Sequence, residues 1–170
     1  LKVMVTDGKL NRAEEEQLDE LVHQEINRPS TTSSSGEVEI CGGGVREYKR
    51  HVISQFRHLN LSALDRRVHL DTAHGCFSYI AKDVFETLGA DVVGVNNNHD
   101  GSCINHQCGA LFVDDFASSL SKNSIGFAFD GDGDRVMAVI DGRVYDGDQM
   151  LFNLAKHYKK LGKGQNKVVG

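Results

Sequence analysis

No run of apolar residues in this chain approaches the roughly 20 needed to cross a bilayer as a helix, and no signal-peptide pattern opens it. No membrane partner is expected. Cysteine is sparse: Cys41, Cys76, Cys103 and Cys108 are unevenly spaced. That spacing fits reduced thiols in a cytoplasmic protein better than a disulfide framework. The paired C-x2-C pattern of a structural zinc site is also missing, so His99, Cys103, His106 and Cys108 do not read as zinc ligands. Charge of one sign is in small excess only. A net charge of −5 offers no general surface for nucleic acid or an anionic membrane. At 170 residues the chain can hold one good core, or one domain with part of a neighbour. It does not open with Met, and Lys167 to Gly170 reads like a strand cut short, so a fragment of a longer protein is expected.

The chain does hold Phe-Asp-Gly-Asp-Gly-Asp-Arg, from Phe129 to Arg135, directly after the apolar run 125–128. Asp130, Asp132 and Asp134 alternate with glycine. In a regular strand this spacing puts all three on one face, where like charges repel. Gly131 and Gly133 can reach positive φ, so the loop can curl and aim the carboxylates inward around a cation. Carboxylate oxygens are hard ligands that favour Mg²⁺ or Ca²⁺. Arg135 follows at once, and its planar fork suits phosphate or carboxylate. A cation beside an arginine points to phosphate chemistry. A solvated acidic hairpin is the plain alternative. An EF-hand also begins with alternating Asp, but Arg135 occupies the place of its required Gly, Asp141 the place of its Glu, and the flanks read as strands.

Two helical patterns come first. Asn11 is a suitable N-cap with Glu14 as its capping-box partner, and Leu18, Leu21, Val22 and Ile26 follow at helical spacing until Pro29. Ser30 to Gly36 reads as a polar linker. Val45, Tyr48, Val52 and Phe56 mark a second helix, with Arg46, Lys49, Arg50 and Arg57 mostly on its wet side. From Val68 strands and helices alternate. Val68–Asp71 reads as a strand, Thr72–Gly75 as a turn, Cys76–Leu88 as one helix closed by Gly89, and Asp91–Val95 as a strand. A long polar loop spans Asn96–Gly109, a helix Val113–Lys122, and a strand buried on both faces Ile125–Phe129. Val136–Ile140 and Arg143–Tyr145 read as a hairpin around Asp141-Gly142. Asp146 then caps a last helix, and it and Asp148 read as cap and surface rather than cation ligands. The alternation argues for an α/β layer with a parallel or mixed sheet, whose ligands gather at the carboxyl ends of its strands. A weak anion-binding reading of His74-Gly75 gives way to a tight turn needing Gly75.

The Phe129–Arg135 segment resembles the metal loop of the α-D-phosphohexomutases. Cys103-Ile104-Asn105-His106-Gln107-Cys108-Gly109 is similar to the Asn-Ile-Asn-x-x-Cys-Gly segment of the bacterial branch acting on glucosamine phosphates, with Cys103 in place of the first Asn. Arg135-Val136-Met137-Ala138-Val139 also resembles that branch. The resemblance implies a three-layer α/β/α domain with a mixed sheet, plus parts of neighbouring domains. Residues 1–47 would end a first domain and linker, 48–135 form the second, and 136–170 begin the third. It implies Mg²⁺ on Asp130, Asp132 and Asp134, a phosphate contact at Arg135, a phosphosugar substrate, a sugar 1,6-bisphosphate activator and a possible homodimer of the parent. The catalytic phosphoserine would lie upstream, because Ser30–Ser35 lacks the following His-Asn pair, and the chain alone would be inactive. The implied reaction interconverts glucosamine 6-phosphate and glucosamine 1-phosphate. Action on mannose or glucose phosphates is the alternative within the family, and a non-catalytic cation-binding module the alternative outside it.

Overall fold

The computed structural model describes residues 3–5, 8–27, 43–99 and 101–163. Pro29, the linker from Ser30 to Gly36, Cys41 and the stretch Lys167–Gly170 lie outside the described residues. Two compact units are present, Leu1–Ile40 and Cys41–Gly170. In the first, β1 (Met4–Val5) and β2 (Gly8–Lys9) pair antiparallel and lead into α1 (Arg12–Ile26). The expected capping box is formed: Asn11 Oδ1 accepts from the Ala13 and Glu14 amides, and Glu14 accepts from the Asn11 amide at 2.8 Å.

The second unit opens with α2 (Gly43–Phe56). It continues through β3 (Arg67–Asp71), α3 (Ala81–Thr87), β4 (Val92–Val95), α4 (Val113–Ser119), β5 (Ser124–Phe129), β6 (Val136–Ile140), β7 (Arg143–Tyr145) and α5 (Gly147–Lys160). One five-stranded mixed sheet runs in the order β4-β3-β5-β6-β7. β3 is parallel to both β4 and β5, while β5, β6 and β7 are antiparallel neighbours, so the sheet continues across Arg135.

Each face of the sheet has its own apolar layer. Val68, Leu70, Ala81 and Ala90 pack with Phe77, Phe85, Phe127 and Phe129 on the α3 side. Val113, Phe116, Ala128 and Val139 pack with Leu120 and Met137 on the α4 side. The architecture is therefore α/β in three layers. β5 is not buried equally on its two faces as its apolar sequence suggests. Ser124, Gly126 and Ala128 are buried toward α4, whereas Ile125, Phe127 and Phe129 are only partly covered. Gly126 permits the close approach on the α4 side, since a β-carbon there would sit 2.7 Å from the Phe116 ring. α2 lies against α3, with a Lys49–Asp83 ion pair joining them. Among the described residues no helix is long and apolar enough to cross a membrane.

Two expected helices are shorter than their apolar patterns. Cys76–Tyr79 forms a 3-10 turn, broken from α3 at Ile80 (φ −127°, ψ −52°). Tertiary bonds hold that first turn: the Cys76 amide donates to Gly131 O, and the Ser78 and Thr72 hydroxyls lie 2.8 Å apart. α4 likewise stops at Ser119, where Leu120 turns extended (ψ 145°) and folds over Gly126. Local chemistry elsewhere behaves as expected. Gly89 (φ +100°) closes α3, with its amide on Glu86 O and the Ala90 amide on Phe85 O, a Schellman cap. Asp141 (φ 53°) and Gly142 (φ 76°) supply the two positive angles of a type I′ hairpin. Asp146 caps α5 in a second capping box, with Gln149.

Candidate metal centre

The site begins where β5 ends. The chain leaves the sheet at Asp130 and returns at Arg135, and the Asp130 amide donates to Arg135 O at 3.3 Å. The Gly133 amide donates to Asp130 O at 3.1 Å, and Gly133 holds φ +72°. Of the two loop glycines only Gly133 uses the positive φ expected of both; Gly131 is not in the left-handed region. One oxygen of each carboxylate, from Asp130, Asp132 and Asp134, lies within 4.8 Å of the other two. Asp130 is 1% exposed, while Asp132 and Asp134 face solvent. The flanking elements are strands, which excludes the EF-hand. Among the described residues this trio is the group of acidic, His or Cys side chains close enough to share an ion; His99, Cys103, His106 and Cys108 do not gather.

Arg135 bridges the cluster. Its Nε donates to Asp130 Oδ2 at 2.8 Å and lies 3.6 Å from Asp134 Oδ1. Its amide donates to Asp130 Oδ1 at 3.2 Å. The hydrogen bond to Asp130 and the surrounding negative charge raise the guanidinium pKa above its ordinary value. The side chain is 66% exposed, so the fork can face a phosphate while its Nε edge stays on the loop. Cys76 is at the rim. Partial burial, followed by Asp132, raises its thiol pKa, which disfavours a nucleophilic thiolate there.

The support beneath the loop was visible in the sequence only in part: Gly75 as a tight turn and Asn105 and Gly109 as members of the Cys103–Gly109 segment, with Asp71 not singled out. Gly75 has φ −94°, so the turn does not need its conformational freedom. It needs the missing side chain, because a β-carbon there would overlap the backbone of Gly131. A β-carbon on Gly131 would in turn meet Ile104 and the Asn105 amide, and one on Gly133 would lie 2.6 Å from the Phe77 ring. Asp71, 1% exposed at the carboxyl end of β3, ties these segments together. Its Oδ1 accepts from the Ala73 amide at 2.9 Å, and its Oδ2 from Asn96 Nδ2 at 2.9 Å and the Gly109 amide at 3.0 Å. Ala73 O then accepts from the Asn105 amide at 3.0 Å. Five non-glycine residues in these turns have positive φ: Ala73, His74, Asn96, Asn105 and Gln107. Such concentrated strain marks a place where the surroundings over-determine the backbone.

The donor set fits a hard divalent cation. All three side chains are carboxylates, and one oxygen of each converges on one volume. A further oxygen, Asn105 Oδ1, is buried beside the loop without a hydrogen-bond partner.

The family model described as phosphoglucomutase/phosphomannomutase, alpha/beta/alpha domain II, matches residues 46–143. The phosphoglucosamine mutase of Thermotoga neapolitana is 36% identical over 170 residues, covering 99% of this chain and 39% of that protein. The phosphoglucosamine mutase of Nitrosomonas europaea is 36% identical over 156 residues, covering 88% of this chain and 34% of that protein. The chain thus spans about two fifths or less of the length of these curated relatives. A solved structure of a putative phosphomannomutase from Thermus thermophilus superposes with a TM-score of 0.64 over 92% of this chain and 36% of its own. At 21% identity that likeness speaks for the fold alone.

Proposed function

The chain belongs to the phosphoglucomutase/phosphomannomutase family, and on that premise we propose that it is the cation-holding part of a phosphoglucosamine mutase. The observation that carries the reading is the convergence of Asp130, Asp132 and Asp134 beside Arg135 at the carboxyl end of β5. In an α/β sheet that end is where ligands collect.

The proposed reaction interconverts glucosamine 6-phosphate and glucosamine 1-phosphate. A phosphoserine supplied by another part of a longer protein gives its phosphoryl group to the sugar, and the bisphosphate formed returns its other phosphoryl group to the serine. A sugar 1,6-bisphosphate serves as activator. The three aspartates would hold Mg²⁺, which supplies charge neutralisation to the phosphoryl being transferred. Asp130, buried and anchored by Arg135, fixes the position of the loop, while exposed Asp132 and Asp134 can adjust around an ion. Arg135 presents positive charge where the phosphate enters. Ala73, Asn105 and Gly109, linked through Asp71, keep the rim in place. Residues 1–47, 48–135 and 136–170 are proposed as the end of a first domain, a second domain and the start of a third. By itself the chain has the loop but no phosphoryl donor, and is proposed to be inactive.

The test is a coupled assay of the longer protein with glucosamine 6-phosphate, mannose 6-phosphate and glucose 6-phosphate, each with Mg²⁺ and the matching bisphosphate. Preference for glucosamine 6-phosphate supports the assignment. Preference for either other sugar transfers it to the phosphomannomutase or phosphoglucomutase reading. Cation binding without turnover on any of them leaves a non-catalytic module.

A further inference from the structure

We infer that Asn105 is a positioning residue of the cation loop, with its buried Oδ1 accepting a hydrogen bond that forms when the loop closes on a divalent ion. Three observations meet at this side chain. Its Nδ2 lies 2.8 Å from where a β-carbon on Gly131 would stand, so the amide rests on the loop between Asp130 and Asp132. Its backbone is held at φ 59° by the bond from its amide to Ala73 O, and Ala73 is itself fixed by buried Asp71. Its Oδ1 is buried and without a hydrogen-bond partner, the one such side-chain atom among the described residues.

A buried amide oxygen lacking a donor costs stability, and such atoms are few in native structures. The strained backbone adds to that cost. The relay from Asp71 through Ala73 keeps the amide in place nonetheless. A loop N–H drawn inward with the aspartates, or a water carried by the ion, would supply the missing donor. Either links the oxygen to cation binding. Outer partners of this kind orient ligands they do not replace, and their loss commonly weakens metal affinity about 10- to 100-fold.

The inference rests on the cation reading of Asp130, Asp132 and Asp134, and the experiment separates the two. Mn²⁺ binding to the 170-residue chain is followed by the electron paramagnetic resonance signal of the unbound ion. Wild type is compared with Asn105→Gly, Asn105→Asp and Asp132→Asn. Glycine removes the amide while relieving the positive φ, and aspartate keeps an acceptor at the same atom. The dissociation constant is expected to rise about 10-fold or more in Asn105→Gly and to return toward wild type in Asn105→Asp. The ion-free thermal midpoint of Asn105→Gly should not fall. Wild-type affinity in Asn105→Gly, with affinity lost in Asp132→Asn, overturns the role of Asn105 and leaves the cation site standing. A lower ion-free midpoint in Asn105→Gly with unchanged affinity assigns Asn105 to folding alone and also overturns it. Equal binding by wild type and Asp132→Asn removes the cation site, and this inference with it.

Discussion

Gly75 and Gly131 meet backbone to backbone: the Cys76 amide donates to Gly131 O at 3.0 Å, and a β-carbon on Gly75 would overlap that carbonyl. The start of the 3-10 turn and the middle of the aspartate loop are thereby a single packed unit. Gly75→Ala tests this, because φ −94° is open to alanine and any loss must come from the contact. Overpacking of this kind costs about 1–3 kcal/mol. Urea unfolding should show a loss in that range, together with weaker cation binding. A change under about 0.5 kcal/mol, typical of an ordinary surface site, would mean that the loop yields freely.

The three aspartates are not equivalent. Asp132 is exposed, whereas Asp130 is 1% exposed and accepts two hydrogen bonds from Arg135. Asp132→Asn should cut Mg²⁺ affinity about 10-fold or more, as loss of a charged ligand must cut it at least as much as loss of an outer partner. It should leave the thermal midpoint without metal unchanged. Asp130→Asn should lose affinity and also about 1–3 kcal/mol of stability, because an amide cannot accept on both sides as the carboxylate does. Parallel calorimetric titrations and melts distinguish the two. Equal stability losses at both positions would erase the division between anchor and adjustable ligand.

Arg135→Lys preserves charge and removes the fork. In the longer protein, phosphoryl transfer should slow about 10- to 100-fold, the equivalent of one charged hydrogen bond at about 1.5–3 kcal/mol. Cation affinity should weaken as well, since lysine loses the Nε bond that anchors Asp130. Single-turnover transfer rates check the first expectation and titration the second. Normal transfer by the lysine variant would show that a point charge suffices at this position.

Features written in adjacent residues were legible in the sequence. Asn11 with Glu14, Gly89, Asp141-Gly142 and Asp146 each carry their structural instruction within a few positions, and each forms as read. The aspartate loop was legible for the same reason. Asp71 was not. Alone it is an acidic residue at a strand end, and two of its three partners, Asn96 and Gly109, are 25 and 38 residues away. The break at Ile80 was hidden likewise, since an apolar helical pattern runs through it and the preceding turn is held by tertiary bonds to Gly131 and Thr72. The reason for Gly75 was also non-local: the sequence suggested a turn, and the structure shows a close approach.

Asp71→Asn follows from that hidden role. Three donors converge on one carboxylate, two of them on Oδ2. Whichever way an asparagine turns, its NH2 group faces at least one N–H. A buried donor left opposite a donor costs about 1–3 kcal/mol, and more where the lost partner was charged. Denaturant unfolding should show a loss at or above the top of that range. Amide exchange at Ala73 and Gly109 should accelerate more than in β6. A loss under about 1 kcal/mol, or no local exchange effect, would show that the three turns hold without the carboxylate.

His69 gives the fold an acid-side weakness. It sits in β3, partly buried, with Nε2 3.4 Å from the Oγ of buried Ser124. Burial first, then the positive charge of Arg67, lowers its pKa below the ordinary 6.5, with Asp91 opposing. The sign follows from proton counts. Below pH 6.5 the unfolded imidazole takes up a proton, while the folded one resists until its lower pKa is reached. The unfolded state then binds more protons, so its stability relative to the fold increases as the pH falls. The contribution of neutral His69 is complete above pH 6.5 and declines through the window down to the folded value. His69→Gln cannot titrate. Urea midpoints measured at about pH 7.5 and 5.5, a unit either side of the unperturbed histidine value, should differ less in the variant than in wild type. The other histidines are common to both proteins, so the difference between the two shifts belongs to position 69. Identical shifts would mean that the imidazole charges in the fold as readily as in the open chain.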